Sequence, residues 1–193
     1  MTAQQLILTD QFRSAFNFAY QLHKNQLRKG SGVPYLSHLL GVAGLVMEDG
    51  GTETEVIAAL LHDAVEDQGG APTLERIKLK FGTHVAAIVD FCTESLETPQ
   101  PPWRERKLAT IRKVALASES EYRILLADKL HNLWTIRNAL WKHGDAVWER
   151  FKGGKEGSLW YYRELLSNFQ ERGDHPFLED MEAILKALQD PAD

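Results

Sequence analysis

The chain has 193 residues, with 22 Lys and Arg against 27 Asp and Glu, a formal net charge of −5 and a pI near 5.8. That balance gives no bulk attraction to a nucleic-acid polymer, and no apolar run reaches the ~20 residues of a membrane span. A hydrophobic fraction of 44% and a charged fraction of 25% are those of an ordinary globular protein, expected to form one domain over residues 1–193.

Met1 to Leu8 lacks the basic start and long apolar stretch of a secretory signal. Asp10 is a candidate cap for a helix through about Leu27, with Phe12, Ala15, Phe16, Ala19 and Leu22 at three- and four-residue spacing. Lys29-Gly30-Ser31-Gly32-Val33-Pro34 reads as a loop, and Tyr35 to about Asp49 as a second helix ended by Gly50-Gly51. Thr52 with Glu55 three residues on has the form of a capping box, opening a helix to about Glu66. After a break at Gly69-Gly70-Ala71-Pro72, short helices are expected over Thr73–Lys80 and Thr83–Leu96. Cys92, the one cysteine, lies among Val89 and Phe91 and reads as a packed thiol in a reducing, cytoplasmic setting.

Pro99, Pro101 and Pro102 stiffen a connection to two long helices, Trp103–Ser118 and Glu121 to about Lys142. Gly153-Gly154-Lys155-Glu156-Gly157 reads as a flexible loop before closing helices at Ser158–Glu171 and Pro176–Gln189. With no alternating strand pattern, the expected fold is all-α, a compact bundle of about nine or ten helices.

Four positions stand out chemically. His38, the pair His62-Asp63, and Asp128 offer two imidazoles and two carboxylates, a donor set suited to a divalent metal such as Mn²⁺. Neighbours on a helix point about 100° apart, so His62 and Asp63 can flank one ion. Glu66 lies over His62 and Asp67 over Asp63, which adds two carboxylates able to take a proton from water. Asp128 sits in the apolar run Leu125-Leu126-Ala127-Asp128-Lys129-Leu130, where an acid needs a partner or a metal. Singly, each has an ordinary explanation: a packed histidine, an acid paired with Arg28 or Lys129, a solvated helix end. Together they point to a reaction.

The order His, His-Asp, Asp resembles the HD phosphohydrolase superfamily. His23-Lys24-Asn25-Gln26-Leu27-Arg28-Lys29 through Pro34-Tyr35-Leu36-Ser37-His38 resembles the opening motif of RelA/SpoT-type alarmone hydrolases. Leu60-Leu61-His62-Asp63-Ala64-Val65-Glu66-Asp67 and Leu126-Ala127-Asp128-Lys129-Leu130-His131-Asn132-Leu133 resemble their second and third motifs, so the likeness covers residues from about 15 to about 170. Two departures are Leu39, where many relatives have proline, and Lys129, where the long bifunctional enzymes usually have arginine. Neither removes a ligand.

The resemblance implies an HD-domain helical bundle in which His38, His62, Asp63 and Asp128 hold one Mn²⁺ per chain and Glu66 and Asp67 act on the attacking water. It implies a small-molecule purine nucleotide as partner, with no nucleic-acid polymer and no membrane. Arg28 and Lys29, two cations beside a glycine loop, would neutralise phosphate or stack on a base. By resemblance Asn132 touches sugar or phosphate, the basic cluster of Arg104, Arg106 and Lys107 meets pyrophosphate, and Lys155 and Tyr162 contact the substrate. His131, three residues after Asp128, reads either as a partner of the site or as structural.

The expected activity is removal of the 3′-pyrophosphate from guanosine 3′,5′-bis(diphosphate), without synthesis, since the chain ends before the place of a synthetase domain. Adenosine analogues, or the 2′-phosphate of NADPH, need the same chemistry. A metal-stabilised module that binds nucleotide without cleaving it is the alternative of another class; it would have no need of Glu66 and Asp67. Oligomeric state is not readable.

Overall fold

A computed structural model of the chain describes residues 6–97 and 99–189; the first five residues of the stretch read for a secretory signal lie outside them. The described residues form nine α-helices and one 3-10 helix, with a single isolated bridge between Leu27 and Pro34, so the fold is all-α. Among them no helix is long and apolar enough to cross a membrane.

α1 (Asp10–His23) is capped by Thr9 rather than Asp10: the Thr9 hydroxyl accepts from the Gln11 N–H at 3.1 Å. Asp10 instead lies in the first turn, where its charge meets the positive end of the helix. The helix also stops before Leu27, because the next residues pair with the loop that follows. Arg28 N–H bonds to the Val33 carbonyl at 2.7 Å and Tyr35 N–H to the Gln26 carbonyl at 2.9 Å. This folded-back loop delivers Arg28 and Tyr35 beside the start of α2 (Leu36–Glu48).

α3 (Glu53–Leu61) carries the expected capping box of Thr52 and Glu55. It does not run on to Glu66: the chain turns at His62 and Asp63 and begins a new short helix, α4 (Ala64–Asp67). The two short helices expected next form one bent element, α5 (Gly70–Cys92), kinked at Gly82 with φ 91° and ψ 167°. Pro72 falls in its first turn, where a missing N–H breaks no intrahelical bond. α6 (Trp103–Leu116) follows the prolines, and α7 (Glu119–His143) opens with a second capping box, Ser118 with Glu121.

A 3-10 helix (Gly144–Arg150) leads to α8 (Gly154–Gln170), and α9 (Pro176–Gln189) ends the described chain. Residues 154–157, expected to be flexible, form the first turn of α8. Gly153 there admits the Trp103 ring, 2.6 Å from where a Cβ would stand.

Two hydrophobic cores meet at α7. Leu39, Val42, Leu61 and Ile88 belong to the first, built from α1 to α5. Leu133, Leu165, Phe169 and Met181 belong to the second, built from α6 to α9. Ile124 and Ala127 face the first core; Leu125, Leu126 and Leu130 face the second. A fully buried leucine contributes about 1.5–3 kcal/mol, so α7 is fixed from both sides at the level of Asp128. Arg123 strengthens the junction, with Nε 2.7 Å from Asp49 and Nη1 2.6 Å from buried Glu55. His175, leading into α9, meets Asp49 at 2.9 Å.

Candidate active site

The break after α3 decides where the expected ligands point. His62 donates its Nδ1 proton to the Ala59 carbonyl at 2.7 Å; a carbonyl oxygen can only accept, so Nε2 is the nitrogen left for a metal. That Nε2 is buried and makes no hydrogen bond. Asp63 Oδ2 is 3.0 Å from it, yet without hydrogen-bond direction, as expected of two atoms that both aim at a third partner. His38 Nε2, from the first turn of α2, lies 3.5 Å from Asp63 Oδ2 and 3.3 Å from Asp128 Oδ1. Ligand atoms of His38, His62 and Asp128 all fall within 4.8 Å of one another, and the three residues are buried.

Charge at this point needs a cation. Burial alone would raise the carboxyls of Asp63 and Asp128, but His62 beside the first and Lys129 beside the second outweigh it, and both sit well below the usual carboxylate range. Burial alone would lower His62; Asp63 and Asp128 reverse that and raise it well above the usual imidazole value. Two ionised carboxylates thus draw positive charge into a buried site that also offers two imidazole nitrogens. A divalent cation fits the orphaned His62 nitrogen, the carboxylate charge and the mixed N/O donor set.

Neighbouring residues orient these groups. Tyr35 Oη donates to Asp63 Oδ2 at 2.6 Å. Lys129 Nζ and Asn132 Nδ2 each donate to Asp128 at 2.5 Å, one to each carboxylate oxygen. Asn132 Oδ1 in turn accepts from Arg28 Nη2 at 2.8 Å, and Arg28 also donates to Thr135 Oγ1 at 3.1 Å. Burial, together with the nearby His38 and Arg28, pushes His131 down to about 4.

Glu66 and Asp67 flank the cluster on α4. Glu66 accepts from the Glu94 N–H at 3.0 Å, and Asp67 from Gln26 Nε2 at 2.7 Å. Burial raises both carboxyls, and the Asp63 charge adds to this. An acid raised in this way is suited to accept a proton near neutral pH.

A cleft opens beside the cluster. Arg28, Lys29, Lys107, Asn132 and Tyr162 line it, together with Arg150. Its continuation adds Arg106, Lys152 and the Trp103 ring. Arg104 and Lys155 stand elsewhere: the Arg104 guanidinium lies 4.1 Å from the centre of the Trp160 ring, and Lys155 is 3.4 Å from Asp145. Arg150 and Lys152 were not read from the sequence; the only signal was a base on either side of Phe151 in what looked like a linker. Gln26 was also missed as the partner of Asp67, although it sits inside the first motif.

Fold and site together define a helical protein organised around a His, His-Asp, Asp cluster whose donor set fits a divalent cation. The chain belongs to the HD domain family, which matches residues 15–158. Among its relatives is MESH1 of Xenopus tropicalis, a guanosine-3′,5′-bis(diphosphate) 3′-pyrophosphohydrolase, 43% identical over 126 residues that cover 64% of this chain and 68% of that protein. A probable guanosine-3′,5′-bis(diphosphate) 3′-pyrophosphohydrolase of Synechocystis is 38% identical over 125 residues, 63% of this chain; the chain spans only 16% of that protein's length. A solved structure of a metazoan ortholog of SpoT, which hydrolyzes ppGpp, superposes with a TM-score of 0.75 over 94% of this chain and 97% of its own, at 23% identity, and supports the fold.

Proposed function

We propose that the protein is a hydrolase that removes the 3′-pyrophosphate from guanosine 3′,5′-bis(diphosphate), with Mn²⁺ held by His38, His62, Asp63 and Asp128. The observation that carries this reading is the double role of Asn132. It lies on the wall of the cationic cleft, bonded to Arg28, and it holds the Asp128 carboxylate. A phosphorylated ligand in that cleft is therefore brought against the cation site.

Lys29, Lys107 and Arg150 supply the charge that binds polyphosphate, and Arg28 offers a planar guanidinium to phosphate or base. When bound, the divalent cation supplies Lewis-acid polarisation of a phosphoryl oxygen and lowers the pKa of water. Glu66 or Asp67 accepts the proton of the attacking water, their raised carboxyls suiting that exchange. The water oxygen bonds to the phosphorus attached at the ribose 3′ oxygen; the P–O3′ bond breaks and that oxygen takes a proton. The products are GDP and pyrophosphate, formed from the cytoplasmic nucleotide pool. Two spare acids beside the ligands support cleavage over binding alone.

The test is steady-state release of pyrophosphate by wild type, Glu66→Gln and Asp67→Asn in the presence of Mn²⁺. Wild-type turnover with a loss of at least 100-fold in one or both variants is expected, since positioned general bases contribute about 10²–10⁴-fold. Equal turnover by all three proteins would remove these acids from the mechanism.

A further inference from the structure

His38 must present Nε2 as a lone pair if it is to bind a metal, and its tautomer is set by whatever meets Nδ1. That partner is His131: the two Nδ1 atoms are 3.0 Å apart and the rings lie 4.9 Å between centres. The contact can be made in two ways. If His131 donates, the proton of neutral His38 is on Nε2, turned toward Asp63 and Asp128, and no metal can bind there. If His131 accepts, Nδ1 of His38 carries the proton and Nε2 is free.

A second observation concerns how His131 is admitted. Its ring occupies the space above Gly41, where a Cβ would stand 2.2 Å from both Cδ2 and Nε2. Gly41 lies three residues after His38 on α2, and His131 three residues after Asp128 on α7. Residues three apart share a helix face, so each helix contributes a ligand and, one turn on, half of this second contact. Trp134, 5.9 Å from His131 between ring centres, packs on the same side.

We propose that His131 is a positioning residue for the cation site: it accepts the Nδ1 proton of His38 and fixes Nε2 toward the metal, and Gly41 is the small residue that lets it do so. This rests on the reading of His38, His62, Asp63 and Asp128 as ligands. The cost of losing such a partner is about 10- to 100-fold in metal affinity.

The experiment is titration of each purified protein with Mn²⁺ alone by calorimetry, alongside thermal unfolding without metal. His131→Phe keeps a ring but loses the acceptor and weakens Mn²⁺ binding about 10- to 100-fold. His131→Asn places an oxygen near the old Nδ1 position and retains binding within a few-fold of wild type. Gly41→Ala displaces the ring and weakens binding in the wild-type background, but has no further effect in a His131→Ala background, where acceptor and ring are both already gone and the space is open.

That non-additivity is what a merely structural pair would not show in metal affinity. Wild-type affinity in His131→Phe, or equal losses in the Phe and Asn variants, would overturn the proposal. Absence of Mn²⁺ binding by the folded wild type would overturn the ligand reading itself and this inference with it.

Discussion

Replacing Asn132 with leucine keeps the branching and approximate size of the side chain and removes two polar contacts. Asp128 loses a donor at 2.5 Å, and Arg28 loses an acceptor at 2.8 Å. Neither partner is left alone: Lys129 still holds Asp128, and Thr135 still holds Arg28. The fold and the cation site should therefore survive, and the loss should fall on the coupling between cleft and cluster. A hydrogen bond to a charged group is worth about 1.5–3 kcal/mol. At 1.36 kcal/mol per decade, this is a fall of about 10- to 150-fold in kcat/KM. The assay is steady-state pyrophosphate release with excess Mn²⁺, with Mn²⁺ affinity measured separately. Thr135→Val, which removes the longer Arg28 contact and a bond to the Asn132 carbonyl but leaves the Asn132 side chain and its two contacts in place, serves as the milder control. An Asn132→Leu enzyme within threefold of wild type would refute the argument that this residue joins the cleft to the metal.

Three further outcomes follow from the same geometry. Because Glu66 and Asp67 must be ionised to accept a proton and are both raised, the acid limb of the kcat/KM profile should lie above the ordinary carboxylate range; Gln26→Leu, which removes a contact favouring ionised Asp67, should move it to higher pH, and an unmoved limb would count against Asp67. Folding lowers the Glu55 carboxyl: burial opposes this, but the Thr52 bonds and Arg123 outweigh it. Its stabilisation is therefore present above the unfolded carboxyl value and lost as pH falls through the folded one, so Glu55→Gln should cost about 1–3 kcal/mol at pH 7 in urea unfolding and the gap should close on acidification. Gly82→Ala should destabilise by about 1–3 kcal/mol in the same assay, because the bend in α5 needs φ 91° and a Cβ there meets no other atom, leaving backbone strain as the cause.

Much of the fold was legible because its signals are local. The Thr52–Glu55 capping box and the spacing of apolar residues on α1 and α7 depend on neighbours in sequence. The errors came where distant residues decide. The glycines at 153–157 read as flexibility, whereas Gly153 makes room for Trp103 across the α6–α8 packing. The turn at His62 and Asp63 is invisible to periodicity, because the apolar pattern of α3 continues into Ala64 and Val65.

In the candidate site, residue chemistry and motif order singled out His38, His62, Asp63 and Asp128, and the structure brings the four side chains together. Arg150 and Lys152 were not singled out, since only the path of the 3-10 helix brings them to the cleft. Arg104 looked equivalent to Lys107 in sequence, yet a helix presents different faces: Lys107 lines the cleft and Arg104 packs on Trp160.

The central claim is that this cleft and cation cluster cleave a 3′-pyrophosphate. The most direct measurement is product analysis by ion-exchange chromatography after incubating the purified chain with guanosine 3′,5′-bis(diphosphate) and Mn²⁺. The account predicts GDP and pyrophosphate in equal amounts, abolished by a chelator and restored by added Mn²⁺. Unchanged nucleotide, or release of orthophosphate in place of pyrophosphate, would contradict it.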